Sequence, residues 1–231
     1  MSDEARAEAV REGRIRRNTE TILAVLLGLV SIGVAYASFQ AALYDGQVQQ
    51  SNTKATTLSA EAQALYIEGN QQWVQDAQLF DTLTNLALDA QNPDPAIAAA
   101  AQIKYDTLYF QSVYPEFDAA IQWAAEQNAA DPELWYSPLD NEDYLSYLYS
   151  SYDEVQQQSD DAIEAADVAD RYGDALTLNT VLMALALFLL GIAAVVKQFR
   201  VKVILGSAGI VIFVAAAIMT VIVPFVWIGS A

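Results

Sequence analysis

Four carboxylates in the second half of the chain have a spacing that could do chemistry. Asp160, Glu164, Asp167 and Asp174 follow one another at steps of four, three and seven residues. On a helix that spacing puts them on one face, interrupted only by Arg171. Asp161 and Asp170 flank the face, and Asp45, at the end of an earlier apolar run, would stand at a similar height. Copies of the chain arranged around an axis could turn these groups into an acidic vestibule that concentrates cations. Carboxylates also suit Ca²⁺ or Mg²⁺. No loop follows the EF-hand pattern, however, and an acid run is commonly just a solvated face. Histidine and cysteine are absent, so the commonest general base, the thiolate nucleophile and the usual transition-metal ligands are missing. There is no phosphate-binding glycine loop, nucleophile elbow or zinc motif. A carboxylate pair could serve a glycosidase, but nothing singles out two of the acids. The expectation is a non-catalytic protein without a cofactor.

Polar and small residues inside the apolar runs form a second set. Ser31, Asn179, Thr180, Ser207 and Thr220 could line a pore, or hydrogen-bond near a membrane surface in the case of Asn179 and Thr180. The runs hold no ionisable residue apart from Tyr36 and, at the end of the first, Tyr44, which argues against an ion-coupled carrier. Ala24 and Gly28 are four apart, as are Gly33, Ala37 and Ala41, and Gly206 and Gly209 lie in the last run. Small residues at such spacing let helices approach closely, within one chain or between chains. Aromatics crowd the middle of the chain, from Tyr105 to Tyr152. They could build a ligand pocket, but core packing with hydroxyls at a polar edge accounts for them.

The elements that must position these groups follow from where apolar and charged residues fall. The 231 residues are 54% hydrophobic yet carry 29 acids against 11 bases, a net charge of −18. Three uncharged stretches, residues 21–44, 175–196 and 203–228, are long enough to cross a bilayer, which takes about 20 apolar residues. The first has a rival reading as a signal peptide, with Arg14, Arg16 and Arg17 before the run and Ala35-Tyr36-Ala37 as a cleavage-like site. The leader of 20 residues contains five acids, and the uncharged stretch continues past that site to Tyr44. The expectation is an uncleaved anchor. Bases gather before the first stretch and at Lys197, Arg200 and Lys202, in a turn of residues 197–202. The segment 45–174 holds 24 acids and three bases, a net charge of −21. Basic short segments stay in the cytoplasm. Residues 1–20 and 197–202 are therefore expected inside the cell membrane, with 45–174 and the tail 229–231 outside. The charge of the large segment opposes nucleic-acid binding.

Within 45–174 the composition favours helix. Residues 40–92 are rich in Ala, Gln, Leu and Glu, with apolar residues at helical spacing from Leu58 through Ala62, Leu65, Trp73, Leu79, Phe80 and Leu83 to Leu86. This predicts a helix continuing outward from the first span, with a bend at Gly46 or Gly69 allowed. Asn92-Pro93-Asp94-Pro95 breaks it and starts a second helix to about Val113. Tyr114-Pro115 starts a third, with Phe117, Ile121 and Trp123 near one face. Asp140 or Asn141 caps a fourth that runs on into the second span. Pro224 is expected to bend the third span, and Trp227 to anchor it at an interface. The fold class is all-α: three transmembrane helices with an extracytoplasmic antiparallel helical bundle continuous with the first and second spans.

Several segments resemble an uncharacterised family of three-span prokaryotic membrane proteins with an extracytoplasmic helical domain. They are Ala35-Tyr36-Ala37-Ser38-Phe39-Gln40-Ala41-Ala42-Leu43-Tyr44-Asp45-Gly46-Gln47, Tyr114-Pro115-Glu116-Phe117-Asp118-Ala119-Ala120, Ser137-Pro138-Leu139 and Leu178-Asn179-Thr180-Val181-Leu182. The resemblance implies the same topology and no activity or site residues. Three functions fit: an oligomeric scaffold or accessory subunit that assembles with itself or a membrane-protein partner through its outer domain, a cation-permeable oligomeric channel with an acidic mouth, or a ligand sensor. The sensor would need a partner for output, since only about 20 residues and one short turn are expected inside.

Overall fold

The computed structural model describes residues 3–131 and 133–227, with side chains from Glu20 onward. The side chains of Arg14, Arg16 and Arg17 and the tail 229–231 lie outside the described residues. Among the described residues all regular structure is helical. The α-helices are α1 (Asp3–Asp89), α2 (Pro95–Ser112), α3 (Pro115–Ala130), α4 (Glu142–Val195) and α5 (Phe199–Ile222), with a short 3₁₀ turn at Pro138–Asp140. α1 passes through Gly46 and Gly69 without interruption. α1, α4 and α5 are each long and apolar enough to cross a membrane. At most 28% of any of their apolar windows is buried by protein, so the remaining apolar surface requires lipid, and this is a membrane protein.

The helix ends have local causes. The Asp94 carboxylate accepts the Ala96 N–H at 2.9 Å, and Pro95 occupies the first turn, where no donor is needed. Tyr114 is extended (φ −92°, ψ 163°) because Pro115 follows it. Asn141 caps α4 by accepting the Tyr144 N–H at 2.8 Å. α5 departs from the expected third span in two ways. It begins at Phe199, so Arg200 and Lys202 sit in its first turn, and only residues 196–198 separate it from α4. It ends at Ile222, so Pro224 terminates the helix where a bend was expected. The reason is Val223, which the following proline holds extended at φ −69°, ψ 131°.

The chain divides into two compact units, Met1–Thr53 with Ala162–Ala231, and Lys54–Asp161. The first, the span unit, holds the apolar windows. Leu23, Val30, Met183, Ala186, Leu190, Ala193 and Ala216 form one of its cores, and Ala41, Tyr44, Ala169, Leu176 and Val226 form the other. Its helices approach closely at small residues. A methyl group at Gly209 would lie 2.9 Å from Leu190 Cγ and 3.2 Å from the Ala186 carbonyl oxygen, and one at Gly33 would lie 3.2 Å from Met183 Sδ. After α5 the chain is strapped onto α1. The Gln40 amide donates to the Val226 carbonyl at 3.3 Å and accepts the Val226 N–H at 3.0 Å. The Tyr44 hydroxyl donates to the Pro224 carbonyl at 2.8 Å, and Tyr36 stacks on Phe225.

The second, the bundle unit, contains the later part of α1, all of α2 and α3, and the start of α4. Its core is Phe117, Ala120 and Tyr144, with Leu79, Phe80, Val113, Ile121, Leu139 and Leu148 packed around them. The α1 stripe expected from the sequence is largely the buried one, through Ala62 and Leu83, although Trp73 is exposed. Close approach recurs at Gly69, where a methyl group would lie 3.0 Å from the Leu148 carbonyl oxygen and 2.9 Å from the Tyr149 ring. A side chain there would push α1 and α4 apart.

Candidate functional site

The densest polar arrangement in the bundle unit surrounds Asp76, a carboxylate only 2% exposed. Gln72, one turn earlier on α1, donates from Nε2 to Oδ1 at 2.9 Å. The hydroxyls of Tyr114 and Tyr144 both donate to Oδ2, at 2.6 and 2.7 Å. Three donors compensate for the water lost on burial, and bonds to a charged acceptor are the stronger kind. Tyr114 comes from the extended residue before α3 and Tyr144 from the first turn of α4. One carboxylate therefore ties three helical segments together. Burial first, then the hydrogen bond to Asp76, pushes both phenols above their ordinary range. Both carboxylate oxygens of Asp76 are thereby engaged in bonds within the bundle unit.

Smaller networks repeat the pattern. Tyr109 donates to the Asp118 carboxylate, and Tyr149 donates to Asn70 Oδ1 at 2.9 Å. Asn128 donates to the Tyr136 carbonyl and accepts its N–H, which folds the loop before the 3₁₀ turn onto α3. Ser159 donates to the Ala55 carbonyl at 3.0 Å. The aromatic side chains serve these networks and the core. Tyr114 lies beside Phe117 and Tyr147, and Phe117 beside Tyr144.

Asp76 and Gln72 were not singled out by the sequence reading. The signal was there: Ala62, Gly69, Asp76 and Leu83 are spaced by sevens, which puts an acid in phase with the buried stripe.

The carboxylates chosen for their spacing behave differently. Asp45, Asp160, Glu164, Asp167 and Asp174 are all exposed. Asp160 accepts from Gln156 at 2.9 Å. Asp45 lies beside Gly173, 3.4 Å from where a methyl group there would sit, so it is level with the position before Asp174. Among the described residues no three carboxylates converge as metal ligands would. The small residues divide. Gly33, Ala37, Ala41, Gly206 and Gly209 pack inside the chain, whereas Ala24 and Gly28 are exposed and nothing lies within 4 Å of a methyl group placed at Gly28. Lys197 and Arg200 are exposed, while Lys202 is buried with its ammonium 4.0 Å from Glu20.

Polar groups on the spans mostly bond to their own helix. Ser31, Thr180, Ser207 and Thr220 each donate to a carbonyl three or four residues back. Asn179 overturns the expectation of hydrogen bonding at an interface. It is fully buried, between Leu176 and Met183 on the inner face of α4, and neither amide atom has a partner.

No family model, curated protein or solved structure matches the chain.

Proposed function

We propose that the protein is a non-catalytic scaffold or accessory subunit of the cell membrane that acts through its acidic helical bundle. The orientation follows from the basic flanks: the N-terminus and the turn after α4 are cytoplasmic, and the bundle is extracytoplasmic. The resemblance to three-span prokaryotic proteins is in keeping with that topology. The observation that carries the reading is the contrast between the inside and outside of the bundle unit. Its buried polar groups Asp76, Tyr144 and Ser159 are spent on internal bonds, yet large apolar side chains stay uncovered: Phe110 is 90% exposed, Trp135 73% and Ile103 67%. Ile103 and Phe110 are seven apart, on one face of α2. Exposed aromatic anchors on a charged surface are what a docking partner would cover.

Photo-crosslinking from position 106, exposed one turn before Phe110 on α2, with native mass spectrometry of the protein in nanodiscs, tests this. The reading expects a defined adduct, to a second copy or to a membrane-protein partner. It also expects the adduct to disappear in Phe110→Ser/Trp135→Ser while the melting temperature is unchanged. A strictly monomeric protein with no adduct would sink it. The proximity of Asp45 to Gly173 favours the cation channel as a second reading. That reading requires a symmetric oligomer whose cation flux in liposomes falls in Asp174→Asn.

A further inference from the structure

One groove in the bundle unit is neither core nor part of the exposed apolar surface. It measures about 410 Å³ and is bordered by Glu68, Gly69 and Gln72 of α1, by Tyr114, and by Tyr147 and Ser151 of α4 among others. That is within the range of small-molecule sites. Gly69 borders the groove where α1 comes closest to α4, with the Leu148 carbonyl oxygen 3.0 Å from where a methyl group would sit.

The groups around it favour one sign of charge. Glu68 supplies a carboxylate, and among the described residues no base pairs with it. Gln72 has committed one of its two amide N–H groups to Asp76, and its carbonyl oxygen is an acceptor. Tyr114 has committed its hydroxyl to the same carboxylate, so it offers the groove its ring. The Tyr147 ring lies 5.9 Å from that of Tyr114, and Tyr147 is half-exposed. Acceptors and aromatic faces are present, and no basic side chain borders the groove. An anion would meet Glu68 in a segment of net charge −21. A bare metal ion would find a single carboxylate, too few for a site. A cation with an organic body can use both features, with its charge on the carboxylate and its body over the rings.

We propose that this groove is a binding site for a small organic cation, with an ammonium head at Glu68 and an apolar body against Tyr114 and Tyr147. The volume suits a free small molecule better than a folded partner. The site does not depend on a partner at Phe110, so either reading can fail alone.

The test uses the full-length chain in nanodiscs. Choline and n-butylammonium are titrated at constant ionic strength against sodium chloride, with butyrate as the anionic control. Binding is read by saturation-transfer NMR and calorimetry. The proposal expects saturable binding of at least one of the two cations and none of butyrate. Affinity should fall about tenfold in Glu68→Gln and by a similar factor in Tyr147→Leu. Glu61→Gln, one exposed acid removed from the same helix outside the groove, should leave affinity unchanged. Circular dichroism melts confirm that each variant folds. The proposal is overturned if neither cation binds saturably, or if Glu61→Gln weakens binding as much as Glu68→Gln. In the second case the cations would be sensing only overall charge.

Discussion

Asp76 and Asn179 are both buried polar side chains on long helices, and they are treated in opposite ways. Asp76 in the bundle unit accepts three hydrogen bonds from two tyrosines and a glutamine. Asn179 in the span unit makes none. The bundle unit contains many phenols and amides, so a buried carboxylate there can be saturated and made to specify the packing of several segments. In the span unit, apolar contacts and close approach at glycines set the packing, and a lone amide has little to pair with. The difference teaches that buried polar bonds organise the bundle core, whereas the span core around Asn179 relies on steric fit and keeps its polar bonds for the strap at Gln40 and Tyr44.

The contrast can be broken at several points. The largest effect is expected from Asp76→Ala, which leaves the buried Tyr144 phenol, the part-buried Tyr114 phenol and an amide without their acceptor. It should cost about 3 kcal/mol or more, measured as a loss in reversible unfolding followed by tyrosine fluorescence. Gly209→Leu should come next, at about 2 kcal/mol, because the added side chain meets both Leu190 and the Ala186 backbone. Unfolding in detergent followed by circular dichroism reads that loss. Gln40→Leu removes both bonds to Val226 and should cost about 1–2 kcal/mol. Faster hydrogen exchange at Val226 would show that the strap has been released.

The smallest change has the opposite sign. Asn179→Leu keeps the side-chain shape and removes an amide that is buried without partners, so stability should rise by up to about 1 kcal/mol. A loss as large as that of Asp76→Ala would erase the contrast.

Alkaline titration sharpens the polar half. Tyr114 and Tyr144 are raised above the phenol value of 10.0. The stability they contribute is complete below about pH 10 and is lost as pH climbs through the raised values. Phenolate absorbance in Asp76→Ala should therefore develop at lower pH than in the parent protein.

Much of this was legible in the chain, for local reasons. Asp94-Pro95, Tyr114-Pro115 and Asn141 mark helix starts through bonds and clashes that span only a few residues. The stripe through Ala62 and Leu83 reflects simple periodicity. Pro224 was legible as a bend but not as the end of α5 and the start of a strap, because the partner that receives the strap, Gln40, lies 186 residues away. The sequence also could not say whether Gly28 and Gly33 do the same work. Both are small residues in one run, yet Gly33 meets Met183 and Phe213 while Gly28 meets nothing.

By itself the sequence determined the helical class, the three apolar helices and the segregation of acid from oil. Those depend on length, period and composition, which are local sums along the chain. Only the tertiary structure decided which polar residues are buried, and whether they are paired. It placed Asp76 among three donors, left Asn179 with none, and left the spaced acids from Asp160 to Asp174 in solvent. Pairing depends on which distant side chains arrive at the same point, and a spacing of fours and sevens names a face without naming what it meets.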